Sequence, residues 1–233
     1  MCGRYAASRS PEDLIVEYEA VDGTAGAHTG PDFNVAPTDP VLVVRTRTRD
    51  RQRELSQARW GLVPSWAPDR SGAAGKINAR AETVQQLPAF RSAFARRRCL
   101  VPADGWYEWV RRADGPGKQA YFMAPYDGRG VAFAGLWETW GEPRLLTVTI
   151  LTTAAVGGLT QVHHRMPLVL PAARCADWLD PAYPDPSRLL EPTPEALVER
   201  LEIRPVGPQV GAVANDGPSL VQRQDDGAAW ALF

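Results

Sequence analysis

The sequence predicts an α+β fold, a curled and largely antiparallel sheet with short helices at its periphery. Two observations lead there. Between residues 99 and 152, β-rich runs follow one another with turn signals between them, Asp114-Gly115 and Asp127-Gly128 among them, as antiparallel pairing requires. Helical patterns stand at the edges of these runs and do not alternate with strands, so no βαβ unit is indicated. The 233 residues, 44% of them hydrophobic, suffice for a sizeable core. With no internal repeat or long linker, residues 1–233 are expected to form a single domain.

In chain order, Ser10 before Pro11, Glu12 and Asp13 reads as an N-cap with proline at the first helical position, and Leu14, Ile15 and Tyr18 give the helix an apolar stripe. Residues 21–32, rich in Gly, Ala and Asp, form a loop holding His28. Val41 to Arg49 is β-rich. Arg45, Arg47 and Arg49 alternate there with Thr46 and Thr48, so their side chains are expected on one strand face. Arg51 and Arg53 carry the cluster across a turn toward a second strand ending at Trp60. That face is either solvated or a phosphate contact. Residues 82–87 and 90–98 read as helical, with Pro88 opening the second piece. Strands follow at 99–102, 105–110, 120–124, 131–137 and 145–152. Two further helices are expected at 172–179 and at 195–201, the latter capped by Thr193 with Pro194 at its first position.

Composition excludes several classes. No apolar run approaches the roughly 18 residues of a membrane span, and no basic and apolar leader opens the chain, so a cytoplasmic protein is expected. Cys2, Cys99 and Cys175 are odd in number and widely spaced, with three histidines as the only nitrogen partners, which supports neither a disulfide framework nor a zinc site. A net charge of −1 means that any nucleic-acid-binding face must be a local patch.

The chain begins Met1-Cys2-Gly3-Arg4-Tyr5. Methionine aminopeptidase trims an initiator methionine that precedes a small residue, which leaves Cys2 with a free α-amine and a thiol two carbons apart. Such an aminothiol captures aldehydes. Its amine, with a pKa of about 7.7–8.0, is appreciably neutral at physiological pH, and its thiol, at about 8.5, is partly thiolate. Amine attack gives a Schiff base, and the thiol then closes a five-membered thiazolidine on the same carbon. The competing reading is a chance residue after the initiator.

Other segments join polar groups to tight-turn residues: 33–38, 60–66, 77–83, 99–109, 134–140 and 162–170. Glu108, between Tyr107 and Trp109, sits either on the wet face of a strand or in an apolar setting suited to general acid–base work. Asn78 and Arg80 alternate on an extended segment and point the same way, as a neutral positioner and a phosphate fork or as a structural pair. His163 and His164, if extended, face opposite sides, so one of them at most enters a given site. A strand histidine is structural or catalytic. Trp60, Trp106, Trp109, Trp137 and Trp140 are expected in the core, whereas Trp66, in a loop after Pro64, is placed to stack on a base.

Taken together, Cys-Gly-Arg at 2–4, Asn-x-Arg-x-Glu at 78–82, Pro-Ala-Asp-Gly-Trp-Tyr-Glu-Trp at 102–109 and His-x-Arg-Met-Pro at 163–167 resemble the SRAP family of SOS-response-associated peptidases, which includes abasic-site processing proteins. The resemblance covers nearly the whole chain, from Met1-Cys2-Gly3-Arg4-Tyr5 to Asn-Asp-Gly-Pro-Ser-Leu at 215–220. It implies an α+β domain with a β-barrel-like sheet and a positively charged groove for single-stranded DNA. It also implies a thiazolidine crosslink between Cys2 and the ring-opened aldehyde of an abasic site, with no metal or organic cofactor. By the same resemblance Cys2 is the nucleophile, Asn78 holds it, Glu108 is the acid–base carboxylate and His163 the proton-transfer histidine. Arg80 meets the phosphates beside the lesion, Arg4 and Trp66 lie in DNA-contacting segments, and Gly3 leaves room for the deoxyribose. A monomer acting at the nucleoid is expected, with Arg45 and Arg47 as further candidate DNA contacts. Two departures stand out: His164 occupies a position where the family usually has a small polar or acidic residue, and Gly211 follows Val206 and Val210 where the family often shows Val-Asn. The alternative activity is that of an N-terminal-nucleophile peptidase or amidohydrolase.

Overall fold

The computed structural model describes residues 2–27, 30–112 and 115–224, so His28 and Asp114 lie outside the described residues. Strand β1 (Tyr5–Ala7) leads into helix α1 (Pro11–Tyr18), where the Ser10 side chain accepts from the Asp13 amide at 3.1 Å as the cap pattern predicts. Then come β2 (Val21–Asp22), β3 (Asp32–Val35), β4 (Pro40–Thr46), β5 (Arg53–Trp60) and β6 (Asn78–Arg80). Helix α2 (Arg91–Arg96) precedes the long strands β7 (Arg98–Ala103), β8 (Gly105–Arg111), β9 (Lys118–Pro125), β10 (Val131–Trp140) and β11 (Leu145–Ala154). Strand β12 (Arg165–Pro167), helices α3 (Ala172–Leu179) and α4 (Glu195–Val198), and β13 (Leu201–Val206) complete the order.

Five strands close on themselves. β11 pairs with β10, β10 with β7, β7 with β4 and β4 with β5, all antiparallel, and β5 returns to β11 in parallel through Arg59–Thr147 and Trp60–Val148. The expected curled sheet is therefore a closed barrel, which removes the exposed edges that an open sheet must protect. Just past β5, β6 joins β11 with Asn78 opposite Ile150 and Arg80 opposite Thr152. β12 pairs with the end of β11, Pro167 opposite Thr152. A second antiparallel sheet has the order β13-β9-β8-β1-β3. Its Tyr5, Trp106 and Met123 bury against Trp60, Phe133 and Ile150 of the barrel strands. The Tyr5 ring meets those of Trp60 and Phe133 edge-on at 5.2 and 5.9 Å, a geometry that adds to simple burial. On the opposite side, Leu14, Phe94 and Trp178 from α1, α2 and α3 cover Val44, Leu55, Leu100 and Leu136.

Four expected elements differ. Residues 82–86 are turns, and α2 stops at Arg96 because Arg98 belongs to β7. The buried Arg98 guanidinium donates to the Phe94 and Ala95 carbonyls of α2 and to the Trp178 carbonyl of α3, satisfying helix ends that a longer helix would have satisfied itself. α4 runs only to Val198 and has no side-chain cap. Thr193 instead joins the Val169 backbone, its hydroxyl accepting from the amide at 3.0 Å and donating to the carbonyl at 3.1 Å. β4 ends at Thr46, where a tight turn with Arg51 at positive φ begins, so Arg45, Arg47 and Arg49 do not share one strand face. Among the described residues no helix is long and apolar enough to cross a membrane.

Candidate active site

Cys2 lies just before β1, whose Tyr5 is held between Val35 of β3 and Trp106 of β8. This pairing draws the Cys2 side chain into the seam between the two sheets, where it is fully buried. Burial pushes the thiol well above its ordinary pKa, the Glu108 carboxylate adds to that, and the Arg4 backbone amide opposes it. The sulfur is therefore held as a neutral thiol at neutral pH.

Asn78 opens β6, and its Nδ2 donates to the Cys2 carbonyl at 2.7 Å. Its Oδ1 is buried with no hydrogen-bond partner among the described residues, an acceptor at the side of the nucleophile. Asn78 and Arg80 are half-buried and exposed while Ala79 between them is buried, as alternation on a strand requires. Glu108 lies mid-strand in β8 opposite Tyr121 and is only 6% exposed, so the wet-face reading fails. The three residues Cys2, Asn78 and Glu108 thus converge from three separate segments.

His163 is held differently from expectation. The chain is not extended at 163–164: the His163 amide bonds the Leu159 carbonyl at 3.1 Å, and β12 begins only at Arg165. The two imidazoles consequently stack, with centroids 4.2 Å apart and planes at 29°, where opposite directions were expected. His164 is exposed, and the neighbouring His163 holds its pKa below the ordinary value. His163 is half-buried, and its Nδ1 lies 2.9 Å from the Arg165 amide nitrogen and 3.0 Å from the Arg165 carbonyl.

The candidate DNA contacts divide. Arg80 is exposed and has no ion-pair partner among the described residues. Trp66 is 67% exposed in a loop tied down by a 2.7 Å bond from the Trp140 indole to the Ala67 carbonyl. Arg4 is turned inward, donating to Asn34 Oδ1 at 2.7 Å and the Val210 carbonyl at 2.9 Å, beside the Trp109 ring. Arg45 pairs with Glu54 at 2.7 Å and covers the Trp137 ring, while Arg47 pairs with Asp50 at 2.7 Å.

Sequence reasoning gave no role to Glu82 or Arg165, which bridge through Arg165 Nη1 to Glu82 Oε1 at 2.7 Å and Nη2 to Oε2 at 3.0 Å. The signal was present: Glu82 ends the Asn-x-Arg-x-Glu segment, and Arg165 sits inside His-x-Arg-Met-Pro.

A family model described as SOS response associated peptidase (SRAP) matches residues 1–213. The chain is 32% identical over 225 residues to the abasic site processing protein YoqW of Bacillus subtilis, covering 95% of this chain and 99% of that one. To the abasic site processing protein YedK of Escherichia coli it is 31% identical, again over 95% of this chain and 99% of the other. A crystal structure of a Bacteroides thetaiotaomicron protein, 22% identical, superposes with a TM-score of 0.81 over 96% of this chain and 100% of that one, a likeness of fold. A phage-related protein from Bordetella bronchiseptica, 30% identical, gives a TM-score of 0.66 over 88% and 94% of the two chains. With motifs, barrel and family model in agreement over most of its length, the chain belongs to the SOS response associated peptidase (SRAP) family.

Proposed function

We propose that this protein senses abasic sites in single-stranded DNA and, once Met1 is removed, crosslinks to them through Cys2 as a thiazolidine. One observation carries the reading above the others: Cys2 is gripped by Asn78 at 2.7 Å and buried beside Glu108. That is a setting for a positioned nucleophile with a proton acceptor at hand. The names of the relatives, abasic site processing proteins, supply the substrate class.

The steps balance without an oxidant, metal or organic cofactor. Glu108 or His163 moves the proton that opens the cyclic hemiacetal and exposes the C1′ aldehyde, help worth typically about 10²–10⁴-fold. The Cys2 amine adds to C1′ and water leaves, giving an imine. The Cys2 sulfur then bonds to C1′ while its proton passes, by way of Glu108, to the former imine nitrogen. This closure is intramolecular, and effective molarities of at least about 10⁵ M for aligned partners let it outrun hydrolysis and β-elimination. Arg80 holds a phosphate beside the lesion and Trp66 stacks on a neighbouring base, while Arg4 braces the segment that presents Cys2. The protein acts as a single-domain monomer at the nucleoid.

A single-stranded oligonucleotide with one abasic site, incubated with the processed protein and run on a denaturing gel, tests this. Native protein is expected to give a heat-stable product without reductant, Cys2→Ala none, and Cys2→Ser only an imine trapped by borohydride. A heat-stable product from Cys2→Ala, or none from the native protein, contradicts the assignment; acylation of Cys2 by a peptide would then favour the peptidase reading.

A further inference from the structure

We propose that Glu82 is a positioning residue for His163, acting through Arg165; the proposal rests on the crosslinking reading above. β6 and β12 meet at Thr152 of β11, which has Arg80 opposite it in one strand and Pro167 in the other. The Arg165 guanidinium lies across this junction. Beyond its two bonds to Glu82, its Nη2 donates to the Thr152 carbonyl at 2.5 Å and to Thr152 Oγ1 at 3.1 Å. Four acceptor contacts from two segments fix one side chain, and the planar fork of arginine suits such bidentate holding.

The main chain of the same residue holds the catalytic imidazole. A backbone N–H only donates, so the neutral tautomer that Nδ1 uses to accept from the Arg165 amide is the one with its proton on Nε2. When the ring is protonated, Nδ1–H donates to the Arg165 carbonyl 3.0 Å away. Arg165 therefore serves His163 in both charge states without the ring moving, as a group that gives and takes a proton requires. β12 is three residues long and has little rigidity of its own, so the Glu82 bridge supplies it. Glu82 is half exposed, and pairs of that kind contribute little to global stability. Its role is local. Arg80 on β6 and Arg165 on β12 act on the His164 ring, and Glu82 pairs with Arg165, so removing Glu82 leaves the region more positive.

The test uses full-length processed protein carrying Glu82→Ala or Glu82→Gln, each also combined with His163→Ala. With abasic single-stranded DNA at saturation, Glu82→Ala is expected to slow crosslinking about tenfold, the scale of a sub-ångström misplacement of a reacting group. Glu82→Gln, which keeps one acceptor, falls between the alanine variant and the native protein. The half-saturating DNA concentration should stay the same or fall, because a negative charge has left the binding region. In the His163→Ala background the further loss should stay within about twofold, since residues acting through one another are not additive. Long-range imidazole ¹H–¹⁵N spectra give a reading independent of activity: the Nε2–H pattern of His163 should give way to mixed tautomers in Glu82→Ala. An equal loss with and without His163, or an unchanged His163 ring spectrum, overturns the proposal. Native protein that fails to crosslink sinks the crosslinking reading instead, and the ring spectrum still decides whether Glu82 positions His163.

Discussion

A buried thiol beside a carboxylate is a poor nucleophile until its proton leaves, and in the proposed crosslinking that is the work of Glu108. The carboxylate helps to hold the Cys2 thiol neutral, and in the proposed mechanism it also accepts the thiol proton. Glu108→Gln therefore has two effects of opposite sign. Removing the negative charge lowers the thiol pKa, so the thiolate ultraviolet absorbance should develop at lower pH. Crosslinking and its reversal should nonetheless slow by roughly 10²-fold, because the proton carrier is gone. Equal rates in variant and native protein would return Glu108 to a structural role. The sequence could not decide between a wet and a buried Glu108, for a physical reason. β8 lies between β1 and β9, and Tyr107 and Glu108 are both buried, so both faces of the strand are covered and the polar–apolar alternation that marks a half-exposed strand is lost.

Elements with many residues were legible, and those that hold the site were not. The strands from β7 to β11 and helices α1 and α3 carry enough residues to show a period and its punctuation. β1, β6 and β12 have three residues each, too few for any period, and exist because a neighbouring strand gives them hydrogen bonds. Their motifs flagged Cys2, Asn78 and His163, but the stacking of His163 on His164 depends on a turn that the motif does not encode. The arginine hairpin matches its sequence pattern only in part: Arg45 and Arg47 both reach Glu54, while the turn after Thr46 carries Arg49 to Asp50. Its charges meet Glu54 and Asp50 at short range, so little positive potential is left for DNA. Replacing Arg45, Arg47 and Arg49 together with Ser should change the half-maximal DNA concentration for crosslinking by no more than about twofold near physiological salt. A much larger DNA requirement would make the hairpin part of the DNA-binding face.

At the scale of the whole molecule, closure of the barrel joins β5 to β11 across some ninety residues of chain, a contact that no local pattern announces. That closure and the second sheet bury Cys2 and Cys99 completely, and burial raises both thiols above their ordinary range. Cys175 is raised to about 11 for the same reason. The sign of the resulting pH dependence follows from proton counts. Above about pH 8.5 the unfolded chain releases thiol protons that the native state keeps, so stability declines as pH rises, by up to about 1.4 kcal/mol per pH unit for each buried thiol. Urea unfolding between about pH 8.5 and 10 should show this decline, with a shallower slope in Cys99→Ala; a flat profile would mean that the thiols ionise in the native state. In the proposed reaction Cys2 itself becomes covalently bonded to the abasic C1′ through both nitrogen and sulfur. Intact-mass measurement of the protein incubated with a single-stranded abasic oligonucleotide, followed by peptide mapping of the adduct, tests it most directly. One species is expected, with the mass of the protein lacking Met1, plus the oligonucleotide, minus one water, with the DNA on the Cys2 peptide and no free thiol at Cys2. An adduct on any other residue, an adduct that leaves the Cys2 thiol free, or unchanged protein with Met1 removed would contradict it.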